Sequence, residues 1–425
     1  MKIKVTKKSY QEVMSLPPEK HKRPIKPNIF FRTLLKIVST PGLIAAGFKY
    51  TKIGMEELGK GEPCLYLMNH SSFIDLQIVG SILYPRPFNI VATTDSFVGK
   101  NWLMRHIGCI PTKKFVFDIG LVRDMSHSVK NLKSSVVMFP EAGYSLDGSA
   151  TAIPDSLGKF VKLLDVPVVM IRTYGAFSRD PLYNNLQKRN VKVSADMKYL
   201  LSRKEIKEKS AEEINEILAD EFTIDNFRWQ QENKIEINEP FRADYLNRAL
   251  YKCPHCLAEN SMEGKGIYLT CKSCGKKYEL DTLGFLRATD SDGAFDHVPD
   301  WFAWQRAEVR REIEEGKYHF EAPVRMLMAN DTKHIYDIGS GTLTHTAEGF
   351  HLTGAKGELE YTQNPQASYS VCSDFYWYEI GDVICIGNQK ALYYCFPKIK
   401  SHPVAKVRLA AEEMYKMYKE ANPRG

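Results

Sequence analysis

The sequence predicts an α/β domain with a largely parallel sheet, then a small four-cysteine module, then a β-rich region that ends in a helix. The first observation is that short apolar runs alternate with amphipathic stretches from about residue 50 to residue 241. Strands that alternate with helices in this way favour a parallel sheet. The second observation is a set of two Cys-x-x-Cys pairs within 253–274. The third observation is that short runs rich in β-branched and aromatic residues follow residue 283. We therefore divide the chain into four parts: 1–48, 49–248, 249–283 and 284–425.

Length and composition exclude several classes of protein. At 425 residues the chain is long enough for two or three domains of about 150 residues each. Its 44% hydrophobic and 26% charged content is ordinary for a globular protein. We expect neither a secretory signal nor a transmembrane helix, because the first 28 residues lack an apolar core and no apolar run reaches about 18 residues. Five of the nine cysteines are scattered, which favours a reduced, cytoplasmic compartment over a disulfide scaffold.

The net charge lies in an N-terminal arm. Residues 1–32 contain nine Lys or Arg and two Glu, which accounts for the whole formal charge of +7. Residues 29–38 then predict a short amphipathic helix that ends before Pro41 and is apolar at Phe30, Leu34, Ile37 and Val38. A basic arm beside such a helix favours peripheral binding to the anionic, cytoplasmic face of a membrane. The alternative is a helix that simply packs on the domain.

The stretch NHSSFID, residues 69–75, is the strongest candidate for chemistry. The apolar run 64–68 before it predicts a buried strand, and the spacing of apolar residues over 74–83 predicts a helix. His70 therefore lies at the end of a strand, where open α/β sheets place their active sites. Asp75, in the first turn of the helix, could accept a hydrogen bond from one imidazole nitrogen and leave the other free as a base. Alone, the pair could equally be capping or surface residues.

Three later stretches begin or end predicted strands, so each of them could reach the same rim as His70. They are GCIPTKK (108–114), FPEAGYS (139–145) and VPVVM (166–170). Lys113 and Lys114 could bind an anionic phosphate. Glu141 could hold a hydroxyl or orient a loop, and the missing side chain of Gly143 would let a substrate approach the backbone closely. Taken singly, the lysines could instead be a solvated pair, Glu141 a surface acid and 166–170 part of the core. Within this half, strands are predicted at 64–68, 88–93, 108–112, 135–139, 166–173 and 191–195, and helices at 96–106, 118–132, 155–164 and 211–222.

These four stretches, in this order, resemble the four sequence blocks of the glycerol-phosphate and lysophosphatidate acyltransferase family. The resemblance covers about residues 50–239. It implies transfer of an acyl chain from a thioester of coenzyme A or acyl-carrier protein to a hydroxyl of a lysolipid or glycerol phosphate, with 1-acylglycerol-3-phosphate as the leading acceptor. By match, His70 is the base and Asp75 its orienting partner, while Lys114 falls on the arginine of block two and Glu141 on the glutamate of block three.

The sequence departs from the family pattern at three positions. Lys114 replaces the arginine, Ala142 occupies the glycine position of block three, and Tyr144 stands where an arginine usually follows. Because the last change removes a phosphate contact, an acyltransferase for a non-phosphate acceptor stays open. A second alternative is a non-catalytic adaptor for membrane or nucleic acid that retains a decayed acyltransferase fold.

The two cysteine pairs predict a structural zinc site. Fourteen residues separate the pairs, and short runs at 267–270 and 277–280 predict a hairpin beside them, which resembles a zinc ribbon. Cys253, Cys256, Cys271 and Cys274 would complete a tetrahedral site with no position left for catalysis. Few basic residues cluster there, so nucleic acid is an unlikely partner.

The remaining residues predict a β-rich domain that resembles a pleckstrin-homology-like barrel. A helix is predicted at 299–315 and a closing helix at 404–418. The strands between them are predicted at 324–328, 341–346, 349–353, 358–362, 369–373, 376–380, 382–387 and 391–396.

Overall fold

The computed structural model describes residues 3–17, 19–290 and 293–422, so Lys2 of the basic arm lies outside the described residues. The strands are β1 (Val5–Lys7), β2 (Lys49–Ile53), β3 (Leu65–Met68), β4 (Phe88–Thr93), β5 (Cys109–Thr112), β6 (Ser135–Met138), β7 (Val168–Tyr174), β8 (Ser194–Leu201), β9 (Met262–Lys265), β10 (Tyr268–Cys271), β11 (Lys277–Leu280), β12 (Leu286–Ala288), β13 (Phe320–Ala329), β14 (Ile335–Thr346), β15 (Gly349–Gly354), β16 (Leu359–Gln363), β17 (Cys372–Trp377), β18 (Gly381–Gly387) and β19 (Leu392–Pro397). The helices are α1 (Tyr10–Met14), α2 (Ile29–Ala45), α3 (Asp75–Ile82), α4 (Asn101–His106), α5 (Ile119–Lys130), α6 (Leu157–Leu164), α7 (Ala176–Arg179), α8 (Arg203–Glu208), α9 (Ala211–Phe222), α10 (Asn226–Glu232), α11 (Val298–Glu314) and α12 (Val404–Ala421).

The first half forms the predicted α/β sheet, in the strand order β2-β8-β7-β3-β6-β4-β5. Strands β7, β3, β6, β4 and β5 are mutually parallel, whereas β8 runs antiparallel to β7 and carries β2 parallel to itself at the edge. Side chains of β3 alternate between two buried clusters, one under α2 and α3 and the other under α5, α6 and α9. Burial on both faces explains why β3 reads as a continuous apolar run. The largely parallel α/β sheet is thus confirmed.

Parallel strands place their carboxyl ends at one edge of the sheet. The segments that follow β3, β5 and β6 therefore meet there, and these segments contain His70, Lys114 and Glu141. Of the two interpretations of 166–170, the rim is wrong and the core is correct. Because β7 runs parallel to β3 with Leu65 opposite Val168, this stretch lies at the amino edge, away from His70, and its side chains belong to the core.

Helix α2 continues through Pro41 to Ala45, so the prediction that proline ends it was wrong. A proline inside a helix costs roughly 3 kcal/mol. Burial of Leu43 against the sheet and of Phe31 near the start of the helix offsets that cost. The crossing with α3 is close, because a Cβ added at Gly80 would lie 2.7 Å from Leu35 Cγ.

Two further sheets make up the second half. Strands β9 to β12 form an antiparallel sheet beside the four cysteines. The larger sheet has the order β16-β15-β14-β13-β19-β18-β17, and α12 packs against β17 and α11. Buried residues of the cysteine module, of α11 and of the larger sheet form one continuous cluster. A β-rich C-terminal region is confirmed, while its pleckstrin-homology-like identity stays a prediction.

Two details of this region differ from expectation. The structure has one strand, β17, where two were predicted at 369–373 and 376–380. Tyr376, at positive φ, lies in an irregular part of β17, and Tyr378 and Glu379, also at positive φ, lie in the turn to β18. In addition, β1 of the basic arm pairs parallel to β14, with Val5 opposite Ile335. The arm thus adds an eighth strand to the C-terminal sheet.

Among the described residues, every helix is too short or too polar to cross a bilayer.

Candidate active site

The side chain of Asn69, the first residue after β3, holds the following loop in place. The Asn69 side chain accepts a hydrogen bond from Thr173 N at 2.8 Å and donates to Thr173 O at 3.3 Å and to Ser71 Oγ at 3.1 Å. Asn69 is buried, so these bonds satisfy its amide inside the protein. They join the loop to the neighbouring strand β7 and set where His70 leaves the sheet.

His70 and Asp75 form the predicted pair. His70 Nδ1 donates to Asp75 Oδ2 at 2.9 Å, and the same oxygen accepts the backbone N–H groups of Ser71 at 3.0 Å and Ser72 at 3.2 Å. The Asp75 side chain is 2% exposed, whereas the imidazole keeps 17% of its surface exposed. Burial lowers the pKa of His70, while the bond to Asp75 opposes that change and the nearby charge of Lys114 adds to it. The arrangement favours a neutral imidazole with Nε2 free to accept a proton.

Glu141 connects the turn after β6 to the backbone of His70. Its Oε2 accepts His70 N at 2.7 Å, and its Oε1 accepts Thr151 N at 3.1 Å and Thr151 Oγ1 at 3.0 Å. Burial raises the pKa of Glu141 to about 7, although the three donated hydrogen bonds oppose the rise. With 3% of its surface exposed, Glu141 orients the loop rather than meeting solvent.

Two aromatic rings lie against the imidazole. The ring centroids of Phe139 and Tyr144 are 4.4 Å and 4.1 Å from that of His70. Tyr144 is one of the three residues at which the sequence departs from the pattern that it resembles. The turn between these rings contains Ala142 at φ +53°, a left-handed conformation that favours glycine.

Lys113 and Lys114 make contacts with different parts of the protein. Lys114 lies with Nζ 5.9 Å from the centre of the Tyr144 ring, close enough to influence His70. Lys113 instead donates through Nζ to Gln389 O, in the loop between β18 and β19. Gly143 also faces the C-terminal region, because a Cβ added there would lie 3.9 Å from the Arg408 guanidinium.

The C-terminal region supplies polar groups near the site that the sequence did not reveal. Tyr369 OH donates to Pro140 O at 3.0 Å, and Arg408 Nη1 donates to Tyr144 O at 2.9 Å. Asp374 of β17 lines a small cavity that Lys114 also lines, and burial raises its pKa to about 7. These residues lie hundreds of positions from the blocks, so only a three-dimensional structure could identify them.

The four cysteines converge as predicted. Their Sγ atoms all lie within 4.8 Å of one another, with Cys253 to Cys274 at 3.8 Å and Cys256 to Cys271 at 3.7 Å. These spacings exclude disulfides, whose S–S bonds measure about 2.05 Å. They fit a tetrahedron of thiolates around zinc, because Zn–S bonds of about 2.3 Å place sulfurs about 3.8 Å apart. Each pair lies on a tight turn, closed by Leu257 N–H to Cys253 O and by Gly275 N–H to Cys271 O.

Two comparisons relate part of the chain to known proteins. A solved structure with 16% sequence identity and a TM-score of 0.32 is that of the 1-acyl-sn-glycerophosphate (LPA) acyltransferase PlsC from Thermotoga maritima; the match covers 44% of this chain and 80% of that one. The Acyltransferase family model matches residues 49–173, the segment that contains the His70–Asp75 pair, the two lysines and Glu141. Residues 49–173 are therefore similar to the acyltransferase family.

Proposed function

We propose that this protein is an O-acyltransferase that moves a fatty acyl chain from a thioester to a hydroxyl of a glycerolipid, with His70 as general base. The observation that supports the proposal most directly is the 2.9 Å hydrogen bond between His70 Nδ1 and Asp75 Oδ2, within the segment that matches the family. A decayed, non-catalytic domain has no physical reason to keep a buried carboxylate aligned with the histidine.

In this proposal the acceptor hydroxyl oxygen attacks the thioester carbonyl carbon while Nε2 of His70 takes its proton. Asp75 holds the tautomer and stabilises the imidazolium that forms. The tetrahedral intermediate then expels the thiolate, and the imidazolium returns the proton to sulfur. An ester and a free thiol result. A positioned base of this kind contributes about 10²–10⁴-fold to the rate.

For the acceptor we propose a lysolipid, with 1-acylglycerol-3-phosphate, which would become phosphatidate, as the first candidate. Lys114 is the cation near the imidazole that supports a phosphate-bearing acceptor. A non-phosphate acceptor is the second candidate, because Tyr144 occupies the family's arginine position and Asp374 lines the same cavity as Lys114.

Product analysis tests the proposal. Purified protein is incubated with a radiolabelled acyl-coenzyme A or acyl-carrier-protein thioester and with a panel of lysophosphatidate, neutral lysolipids and glycerol phosphate. We expect labelled ester with at least one glycerolipid acceptor and release of one thiol per ester. The absence of ester with every acceptor and both donors, from folded protein, would refute an acyltransferase function.

We also propose that the protein binds an anionic membrane through α2 and the arm before it. One side of α2 is apolar and exposed: Phe30, Ile37 and Val38 are 64%, 62% and 68% exposed, and Trp102 of α4 extends this surface at 65%. Phe31 joins the two helices, with its ring 5.7 Å from that of Trp102. Exposed cations precede the helix at Lys20, Lys22, Arg23 and Lys26. Apolar surface next to cations suits an anionic bilayer.

The double variant Phe30→Ser/Val38→Ser is expected to bind phosphatidylserine-containing vesicles at least tenfold more weakly, because both side chains would lose burial in the interface. Flotation or sedimentation with vesicles measures this. High salt should weaken wild-type binding only in part, because it screens charge but not apolar burial. Leu163→Ser is the matched control, since Leu163 is exposed on α6, against the opposite face of the sheet. Equal binding by the double variant and the control would place the anchor elsewhere.

Finally, we propose that Cys253, Cys256, Cys271 and Cys274 hold one structural zinc ion. The support is the near-tetrahedral sulfur spacing described above. Zinc there would join the two turns and leave no open position for catalysis.

A further inference from the structure

We propose that the C-terminal region forms part of the active site, with Arg408 of α12 as a positioning residue for the turn that places Tyr144 against His70. The inference rests on the proposed acyl transfer and adds a residue that lies outside the segment matched by the family. Arg408 does not touch the reacting atoms. It acts through the backbone of residues 140–144.

The contact is direct and buried. Arg408 is 4% exposed, and its Nη1 donates to Tyr144 O at 2.9 Å. Tyr369 makes a second bond to the same turn, from its hydroxyl to Pro140 O at 3.0 Å. The turn is thus held at both ends by the C-terminal region, while Glu141, between the two contacts, holds the His70 backbone.

Arg408 is itself held in a fixed orientation. Its Nε donates to Glu412 Oε1 at 3.1 Å, one turn further along α12. Glu412 also accepts Ser370 Oγ at 2.7 Å and Arg306 Nη2 at 2.7 Å, so α11 and the segment before β17 support the same carboxylate. A charged group that is buried and bonded on several sides has little freedom to move. The position of Tyr144 O is therefore determined by the C-terminal helices.

The turn requires such support, because Ala142 occupies the left-handed region at φ +53° without the freedom of glycine. A conformation of this kind persists when the surrounding structure over-determines it. Without Arg408, we expect the turn to relax and the Tyr144 ring to leave its position 4.1 Å from the imidazole. The base would remain present, but its orientation would be less well defined.

Arg408→Met tests this in the full-length protein. Glu412 keeps Arg306 and Ser370 as partners, so we expect the variant to fold. We expect kcat to fall at least tenfold, with the KM of the thioester changed less than threefold. Arg408→Lys should recover part of the loss, because an ammonium can still donate to Tyr144 O. Tyr369→Phe, which removes one hydroxyl, should lower kcat about threefold. Arg310→Met is the matched control, since Arg310 joins α11 to α12 through Glu420 and makes no bond to the turn.

A second readout does not depend on turnover. In protein with labelled histidine, the His70 imidazole resonance, assigned with the His70→Ala variant, should shift in Arg408→Met and keep its place in Arg310→Met. If wild-type protein transfers no acyl group, the proposed function fails, and this resonance still decides the positioning role. An unchanged kcat and an unchanged His70 resonance in Arg408→Met would overturn the inference. If Arg408→Met does not fold, Tyr369→Phe decides: a lower kcat at an unchanged melting temperature supports the inference, and an unchanged kcat refutes it.

Discussion

His70→Ala is expected to lower kcat by about 10²–10⁴-fold, because it removes the proposed base and leaves the hydroxyl without a proton acceptor. The fold should survive. In the variant, Glu141 can still accept a hydrogen bond from the backbone N–H of residue 70, and Asp75 can still accept those from Ser71 and Ser72. Initial rates of ester formation, together with circular dichroism, measure both effects. His127→Ala, on α5, serves as the control variant. Near-normal turnover by folded His70→Ala protein would end the catalytic assignment.

The pH profile of the wild type gives an independent check. Burial lowers the pKa of His70 below its ordinary value of 6.5, so the neutral base persists into mildly acidic solution. The acid limb of kcat should therefore have its midpoint below 6.5. Asp75→Asn should move that midpoint further down, because Asp75 raises the pKa. The stability of the fold should change with pH in the same direction. Because the pKa of His70 is lower in the folded protein than in the unfolded chain, its contribution to stability is complete above the pKa of the unfolded chain. This contribution is lost as the pH falls towards the pKa of the folded protein.

Removal of the proposed zinc ion is expected to unfold the cysteine module. Structural zinc sites of this type contribute about 10–16 kcal/mol of binding free energy, which is also folding free energy. Cys271→Ser, or treatment with a strong chelator, should therefore accelerate hydrogen exchange at least 100-fold in β9, β10 and β11. The amides of β3 and β6 should change far less, since the two clusters that enclose their side chains contain no residue of the module.

Metal analysis should find one zinc ion per chain in the wild type and less in Cys271→Ser. His255→Ala provides the control, because His255 lies between two ligands yet is exposed and surplus to the set of four. It should keep the metal. A wild-type protein purified without chelator that contains no zinc, or a chelated protein with unchanged exchange in β10, would contradict the assignment.

The parts of the site that were predictable are those close together in the chain. His70 and Asp75 are five positions apart, and the strand and helix that flank them have apolar patterns that local periodicity reveals. The meeting of Lys114 and Glu141 with His70 followed from the parallel sheet, which fixes where strand ends lie. For 166–170 the same reasoning left both the rim and the core open, because it did not separate the start of a strand from its end.

What could not be predicted depends on tertiary packing. Pro41 does not end α2, because burial of Leu43 outweighs a local preference. The positive φ of Tyr376, Tyr378 and Glu379 is dictated by the hairpin rather than by residue type. Arg408 lies 264 positions from Tyr144, and nothing in the sequence distinguishes it from other arginines on amphipathic helices.

The pairing of β1 with β14 has a consequence for synthesis on the ribosome. Val5 cannot pair with Ile335 until the ribosome has synthesised that residue. At about 5–20 residues per second, this synthesis takes about 15–65 s. During that interval the acyltransferase sheet can assemble from its own contiguous strands, but the arm cannot reach its place in the final sheet. If Arg408 positions the turn beside His70 as proposed, that turn is not held in place until α12 has been synthesised. A nascent chain would then carry a folded but catalytically immature domain, and acyl transfer would reach its full rate only after the last helix is made.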